Sequence, residues 1–178
     1  SVGLTWNRGK MPIAEVRVKN LKQTMDLLKA YAPEQAKDIN KRITTEANKI
    51  RDRARDYMPD VALSNWNNWP DHASEGYVGS VVKKRLKTTR ANYRKRGVIV
   101  SNYIGVVSAD AAGSIFQTVG KGTSTDMFVE NILNKHGSNR GLWRAFDELK
   151  AEVEPAIMAA VQDAQQLVNT KLNQLGGE

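Results

Sequence analysis

The chain has 178 residues, 40% of them apolar and 26% charged, with four tryptophans and no cysteine. This suits one folded domain that can bury a core; it argues against disorder along the whole chain and excludes disulfides, zinc ribbons and thiol catalysis. The 27 Lys and Arg against 19 Asp and Glu give a net charge of +8, and the segment Val81–Val100 supplies all of it, because Lys83, Lys84, Arg85, Lys87, Arg90, Arg94, Lys95 and Arg96 stand there without one acid.

Met11–Lys19 alternates apolar and charged residues at its end, which predicts a short strand. Asn20 is placed to cap a helix whose Leu21, Met25, Leu28 and Tyr31 recur at helical spacing. A second helix is expected from Pro33 to Met58: Ala36, Ile39, Ile43, Ala47, Ile50, Ala54 and Tyr57 form one narrow apolar stripe that Pro59 ends. Charged flanks predict that it packs one face and leaves the other in water.

Asp60–Gly79 reads as an irregular loop with Trp66 and Trp69 among asparagines, candidates for anchoring on the domain or on another subunit. Gly97–Ala109 is β-branched and uncharged, a strand apolar on both faces. Val98, Val100, Ile104 and Val106 face one way; Ile99, Tyr103 and Val107 face the other and are expected at a subunit contact. Tyr77–Thr88 is its expected antiparallel partner, so the basic segment becomes one arm and the tip of a long β-hairpin. Ser114–Val119 reads as a further short strand. Asp126 is placed to cap a short helix through Phe128, Val129, Ile132 and Leu133, and a last helical region begins near Asn139, with Pro155 kinking or breaking it.

The expected fold class is α+β: long amphipathic helices on a small antiparallel sheet with an extended basic hairpin, in a single domain over residues 1–178. Within it lie an N-terminal arm and strand (1–19), helices (20–58), the hairpin (77–107) and a C-terminal helical region (139–173). No apolar run approaches the roughly 20 residues of a membrane span, the amino terminus lacks a signal-peptide pattern, and Ser1 suits a removed initiator methionine. Synthesis in the cytoplasm, without membrane contact, is expected.

Catalytic chemistry finds no support in the residues. Gly120-Lys121-Gly122-Thr123 lacks the spacing of a phosphate-binding loop and reads as a glycine turn. His72 and His136, the two histidines, stand apart, so neither a metal site nor any cofactor is expected. The carboxylates of Asp147-Glu148 and Glu152-Glu154 alternate with bases as solvated helix faces do. No enzyme is expected. Eight uncompensated cations mark an interaction segment instead, for nucleic-acid phosphates contacted without sequence preference or for an acidic groove on a protein.

The order of elements resembles that of tail-completion proteins of long-tailed bacteriophages, small head–tail joining proteins also grouped as minor tail components. The resemblance rests on Ala54-Arg55-Asp56-Tyr57-Met58-Pro59 closing a helix, on Ile115 through Thr123 (IFQTVGKGT), and on Phe128 soon after that threonine. It implies a structural virion protein at the neck, in a ring of identical subunits, commonly six, stacked between the tail tube or its terminator and the head connector and threaded by DNA. Alternatives are a tail terminator ring and a free nucleic-acid-binding accessory protein using the same cations.

Overall fold

The computed structural model describes residues 13–18, 21–63, 76–95, 98–119 and 127–175, with the backbone alone in 13–18, 91–95 and 98–103. The elements in chain order are β1 (Ile13–Val18), α1 (Leu21–Tyr31), α2 (Pro33–Asp56), α3 (Gly79–Arg85), β2 (Leu86–Lys95), β3 (Val98–Ser108), α4 (Ala111–Thr118), α5 (Met127–His136) and α6 (Gly141–Leu175). The class is α+β.

The three strands form an antiparallel sheet in the order β1-β3-β2. Val16, Ile104 and Arg90 stand in one row across it, and Ala14, Val106 and Thr88 in the next. Ile104 and Val106 are buried, as is Leu86. Helices α2 and α6 lie along each other, α1 packs on both, and α2 also covers β2 and β3. The doubly apolar β3 is thus the central strand, with a strand of its own chain on each edge.

The expected stripe of α2 is the spine of the core. Ala36, Ile39, Ile43, Ala47, Ile50 and Ala54 are all buried, with Ile43 and Ala54 fully so. On α6 the matching stripe is Leu142, Phe146, Val153, Ile157, Ala160, Ala164 and Val168. Alanines between the larger residues let the two helices approach closely. Each fully buried Ile or Leu contributes about 2–3 kcal/mol by removal from water. Pro33 opens α2 at its first turn, where a missing N–H loses nothing.

Three sequence expectations need correcting. Residues 79–85 form helix α3, so the strand partner of β3 begins only at Leu86. The two ends of α3 are held by α2 and the residues after it, a tertiary influence outside any local pattern. Residues 114–118 belong to helix α4, because Asp110 caps it by accepting a hydrogen bond from Gly113 N at 2.8 Å. Helix α6 runs through Pro155, so of the two effects expected there the break does not occur. Pro155 and Ala151 are both exposed, so the Ala151 carbonyl left without its N–H partner faces water. The expected cap Asp126 lies outside the described residues.

Candidate interaction surface

The basic segment is built onto α2 from below. Where α2 ends, Asp60 O accepts from Gly79 N at 3.2 Å, and the Asp60 carboxylate accepts from Lys83 Nζ at 2.7 Å. A Cβ on Gly79 would fall 2.5 Å from Asp60 Cα, so only glycine allows that approach. At the other end of α3, Arg55 of α2 donates from Nε to Lys83 O at 3.0 Å and from Nη2 to Leu86 O at 3.2 Å. The guanidinium thereby adds a second donor to Lys83 O, which also accepts from Leu86 N, and reaches the carbonyl of the residue that ends the helix. Ala109 N donates to Arg85 O at 3.0 Å, tying the same corner to the end of β3.

Beyond the corner, β2 lies against a polar stripe of α2. Thr88 Oγ1 donates to Asn48 Oδ1 at 2.7 Å; Arg90 donates to Asn40 O at 2.9 Å, to Thr44 Oγ1 at 2.7 Å and to Asn40 Oδ1. Leu86, Thr88 and Arg90, every second strand residue, thus meet α2 at Arg55, Asn48 and Asn40/Thr44. Loss of hydration there holds the Arg90 pKa below its usual value.

The eight cations consequently have different fates. Lys83 is ion-paired to Asp60 and Arg90 is a clamp onto α2. Lys84, Arg85 and Lys87 are exposed, and none of their side chains has an ion-pair or hydrogen-bond partner among the described residues. Arg94 and Lys95 stand on β2 opposite Ile99 and Val98, past a register shift at Tyr93/Arg94. Arg96 lies outside the described residues, as do Trp66 and Trp69. Among the expected subunit contacts on β3, Tyr103 is paired with Arg17 and Ala91, and half-buried Val107 with Ile13 and Lys87.

A buried hub supports this corner from behind. The Tyr77 ring lies 5.4 Å from that of Phe116, and its hydroxyl donates to Pro59 O at 2.9 Å. Burial raises the Tyr77 pKa above its ordinary value. His136 meets Phe116 edge-on at 5.1 Å, and its Nε2 donates to Ala62 O at 2.8 Å, which places the ring proton on that nitrogen. Arg140, only 2% exposed, donates to Phe116 O at 2.8 Å and to Gly137 O and Val119 O, with its guanidinium 5.5 Å from the Phe116 ring. No carboxylate among the described residues balances it; two carbonyls at the end of α4, where the helix dipole favours a cation, and one just past α5 do. Burial lowers the Arg140 pKa. Gln117 Oε1 accepts from Leu142 N at 2.8 Å, and Trp143 Nε1 donates to Gln117 O at 3.1 Å, so the start of α6 and the end of α4 satisfy each other. Gly141 adopts φ +48° beside Met58, where a Cβ would come within 3.0 Å of the sulfur.

The hub brings together Met58–Pro59 and Phe116–Val119, parts of the two segments quoted above. In the sequence Arg55 and Gln117 enter only as members of those segments and Tyr77 only as the start of an expected strand, while Arg140 has no expected role. An isolated arginine between Asn139 and Gly141 carries no local signal of burial; only the fold supplies its carbonyl partners.

Carboxylates on α6 are paired across to α2. Arg42 meets Asp163, Lys49 meets Glu152 and Arg53 meets Glu148, each at 2.7 Å. Tyr57 is flanked by two guanidiniums, Arg53 at 4.7 Å and Arg144 at 4.3 Å from its ring, and its hydroxyl donates to Glu148. The hydrogen bonds from Arg53 and Tyr57 hold the Glu148 carboxyl below its ordinary pKa.

Among the described residues no group of three or more His, Cys, Asp or Glu is placed to hold a metal ion, and no helix is long and apolar enough to cross a membrane. His72 and Gly120-Lys121-Gly122-Thr123 lie outside the described residues. No protein-family model, curated protein or solved structure matches the chain.

Proposed function

We propose that the chain is a non-enzymatic structural subunit of the head–tail joint of a long-tailed bacteriophage, assembling with copies of itself as a ring around the DNA channel. The observation that carries this reading is the hub: two segments that resemble tail-completion proteins, about sixty residues apart in sequence, meet through Pro59, Tyr77 and Phe116. The exposed cations at the α3–β2 corner supply a docking surface of the kind such a joint needs, toward the tail tube or terminator on one side and the head connector on the other. In this reading Arg94, Lys95 and Arg96 extend that surface along a basic hairpin toward the neighbouring ring. The ring has six subunits by the same resemblance, and the place of action is the virion neck.

Electron microscopy of particles from a phage lacking the gene tests the reading. DNA-filled heads beside separate tails of normal length are the expected result. Tails of uncontrolled length would move the protein to the terminator ring. Normal infectious particles would overturn the structural role altogether, and salt-dependent DNA binding would then favour a nucleic-acid accessory protein, whose affinity drops steeply with salt.

A further inference from the structure

The free cations on α3 do not stand alone. Val81 and the pair Lys84/Arg85 stand at helical spacing on α3, with Val78 at its N-cap and Lys87 at the start of β2, all five exposed. Val78 and Val81 leave 40% and 43% of their surface in water, and Val61, next to the Asp60 that holds the helix, leaves 43%. The strip is therefore apolar at one end and cationic at the other.

We propose that this strip docks an acidic, amphipathic protein segment, with carboxylates for Lys84, Arg85 and Lys87 and aliphatic side chains for Val78 and Val81. Charge complementarity names the acids. Arg42, Lys49 and Arg53 of α2 have acidic partners on α6, whereas the side chains of this cluster have none among the described residues. The valines separate a protein from a nucleic acid. A phosphate backbone matches the cations but leaves the aliphatic surface in water, while carboxylates set beside Leu, Ile or Val satisfy both ends. The platform is also pre-organised. Asp60 and Arg55 grip the two ends of α3, so little conformational freedom remains to be lost on binding. The inference deepens the head–tail reading by giving its docking partner a chemistry, and it rests on that reading only for where the partner sits.

The test starts from a random peptide display library of about twelve residues selected on the full chain, a length that spans roughly three helical turns. The best peptide is then measured by fluorescence anisotropy against wild type, Arg85→Glu, Val81→Ser and the control Lys41→Glu. The enriched peptides should combine Asp or Glu with aliphatic residues. Arg85→Glu and Val81→Ser should each weaken binding about tenfold, the loss expected from one charge or one apolar anchor at an interface, with Lys41→Glu unchanged. All three positions are exposed, and circular dichroism checks that the variants fold. Failure to enrich acidic peptides, or binding indifferent to both strip variants, would overturn the proposal. So would displacement of the peptide by a DNA duplex whose own binding survives Val81→Ser, since the strip would then be a phosphate surface. Particle microscopy reads the head–tail role separately: peptide binding as expected beside normal particles from the gene deletion would leave the strip and remove the joint.

Discussion

The α2–α6 pair and the α3–β2 corner are both rich in lysine and arginine, yet they use them in opposite ways. Along the helix pair the bases of α2 meet acids of α6 in three rungs, Arg42–Asp163, Lys49–Glu152 and Arg53–Glu148. Such exposed pairs add little stability each, but they neutralise the flanks of a helix interface whose strength comes from the aliphatic stripe between them. At the corner, among the described residues, the side chains of Lys83 and Arg90 are engaged in holding the fold. The side chains of Lys84, Arg85 and Lys87 pair with no acid there, and beyond the modest favour of the α3 dipole for Lys84 and Arg85 in its last turn they are not used by the fold. A cation cluster that makes no side-chain contact within the fold is open to the partner proposed above, and this difference sets the paired charge of the helix pair apart from the unpaired charge of the corner.

The comparison breaks most severely at the core of the helix pair. Ile43 of α2 is fully buried in the core, and Ile43→Asp would place a carboxylate there without a partner. A loss above ~4 kcal/mol is expected, so circular dichroism should show little folded protein at room temperature. A cooperative transition near that of wild type would mean that α2 is not the spine. The hub comes next. Arg140→Met keeps much of the volume but strips donors from Phe116 O, Gly137 O and Val119 O, and about 3 kcal/mol should disappear in urea denaturation. If Arg140→Met were neutral, the guanidinium would not be what joins α4 to α6.

These sites differ in how readable they are from sequence. The stripe of α2 could be read directly, because six aliphatic residues at steps of three and four have only one helical face to share. Strands β1 and β3 were legible by alternation and by β-branched density. Gly79–Arg85 was not legible as a helix. It has no side-chain cap, and both ends are held by residues far back in the sequence, Asp60 at Gly79 and Lys83 and Arg55 at Lys83 and Leu86. Likewise Ser114–Val119 looks like a strand until Asp110 is recognised as a cap. Of the candidate surface, the excess charge could be located from composition alone. Which cations stay free, and that valines share their strip, depended on α3 being a helix.

A smaller effect probes the ladder itself through pH. Arg53 and Tyr57 hold the Glu148 carboxyl below its ordinary pKa, so its contribution to stability is present above the unfolded carboxylate pKa of about 4.3 and is lost as pH falls through the lower folded value. Glu148→Gln should therefore lower Tm slightly near neutrality, and the gap to wild type should close as the solution becomes acidic. A gap that stayed constant down to strongly acidic pH would mean that the side chain matters for packing or hydrogen bonding and its charge does not.

The smallest expected effect on stability is also the most discriminating. Reversing Lys84 and Arg85 together to glutamate touches two exposed side chains with no acid to lose, so Tm should stay within about 2 °C of wild type, as for surface substitutions in a chain of this size. The new carboxylates relieve repulsion with Lys87 and create none with Asp60, which Lys83 already neutralises. Raising the salt concentration should stabilise wild type more than the double variant, because salt screens the cationic cluster that only wild type retains. If the double reversal instead lowered Tm by many degrees, Lys84 or Arg85 would be holding the α3–β2 corner together, and the division between structural and interaction charge would fail where it is drawn most sharply.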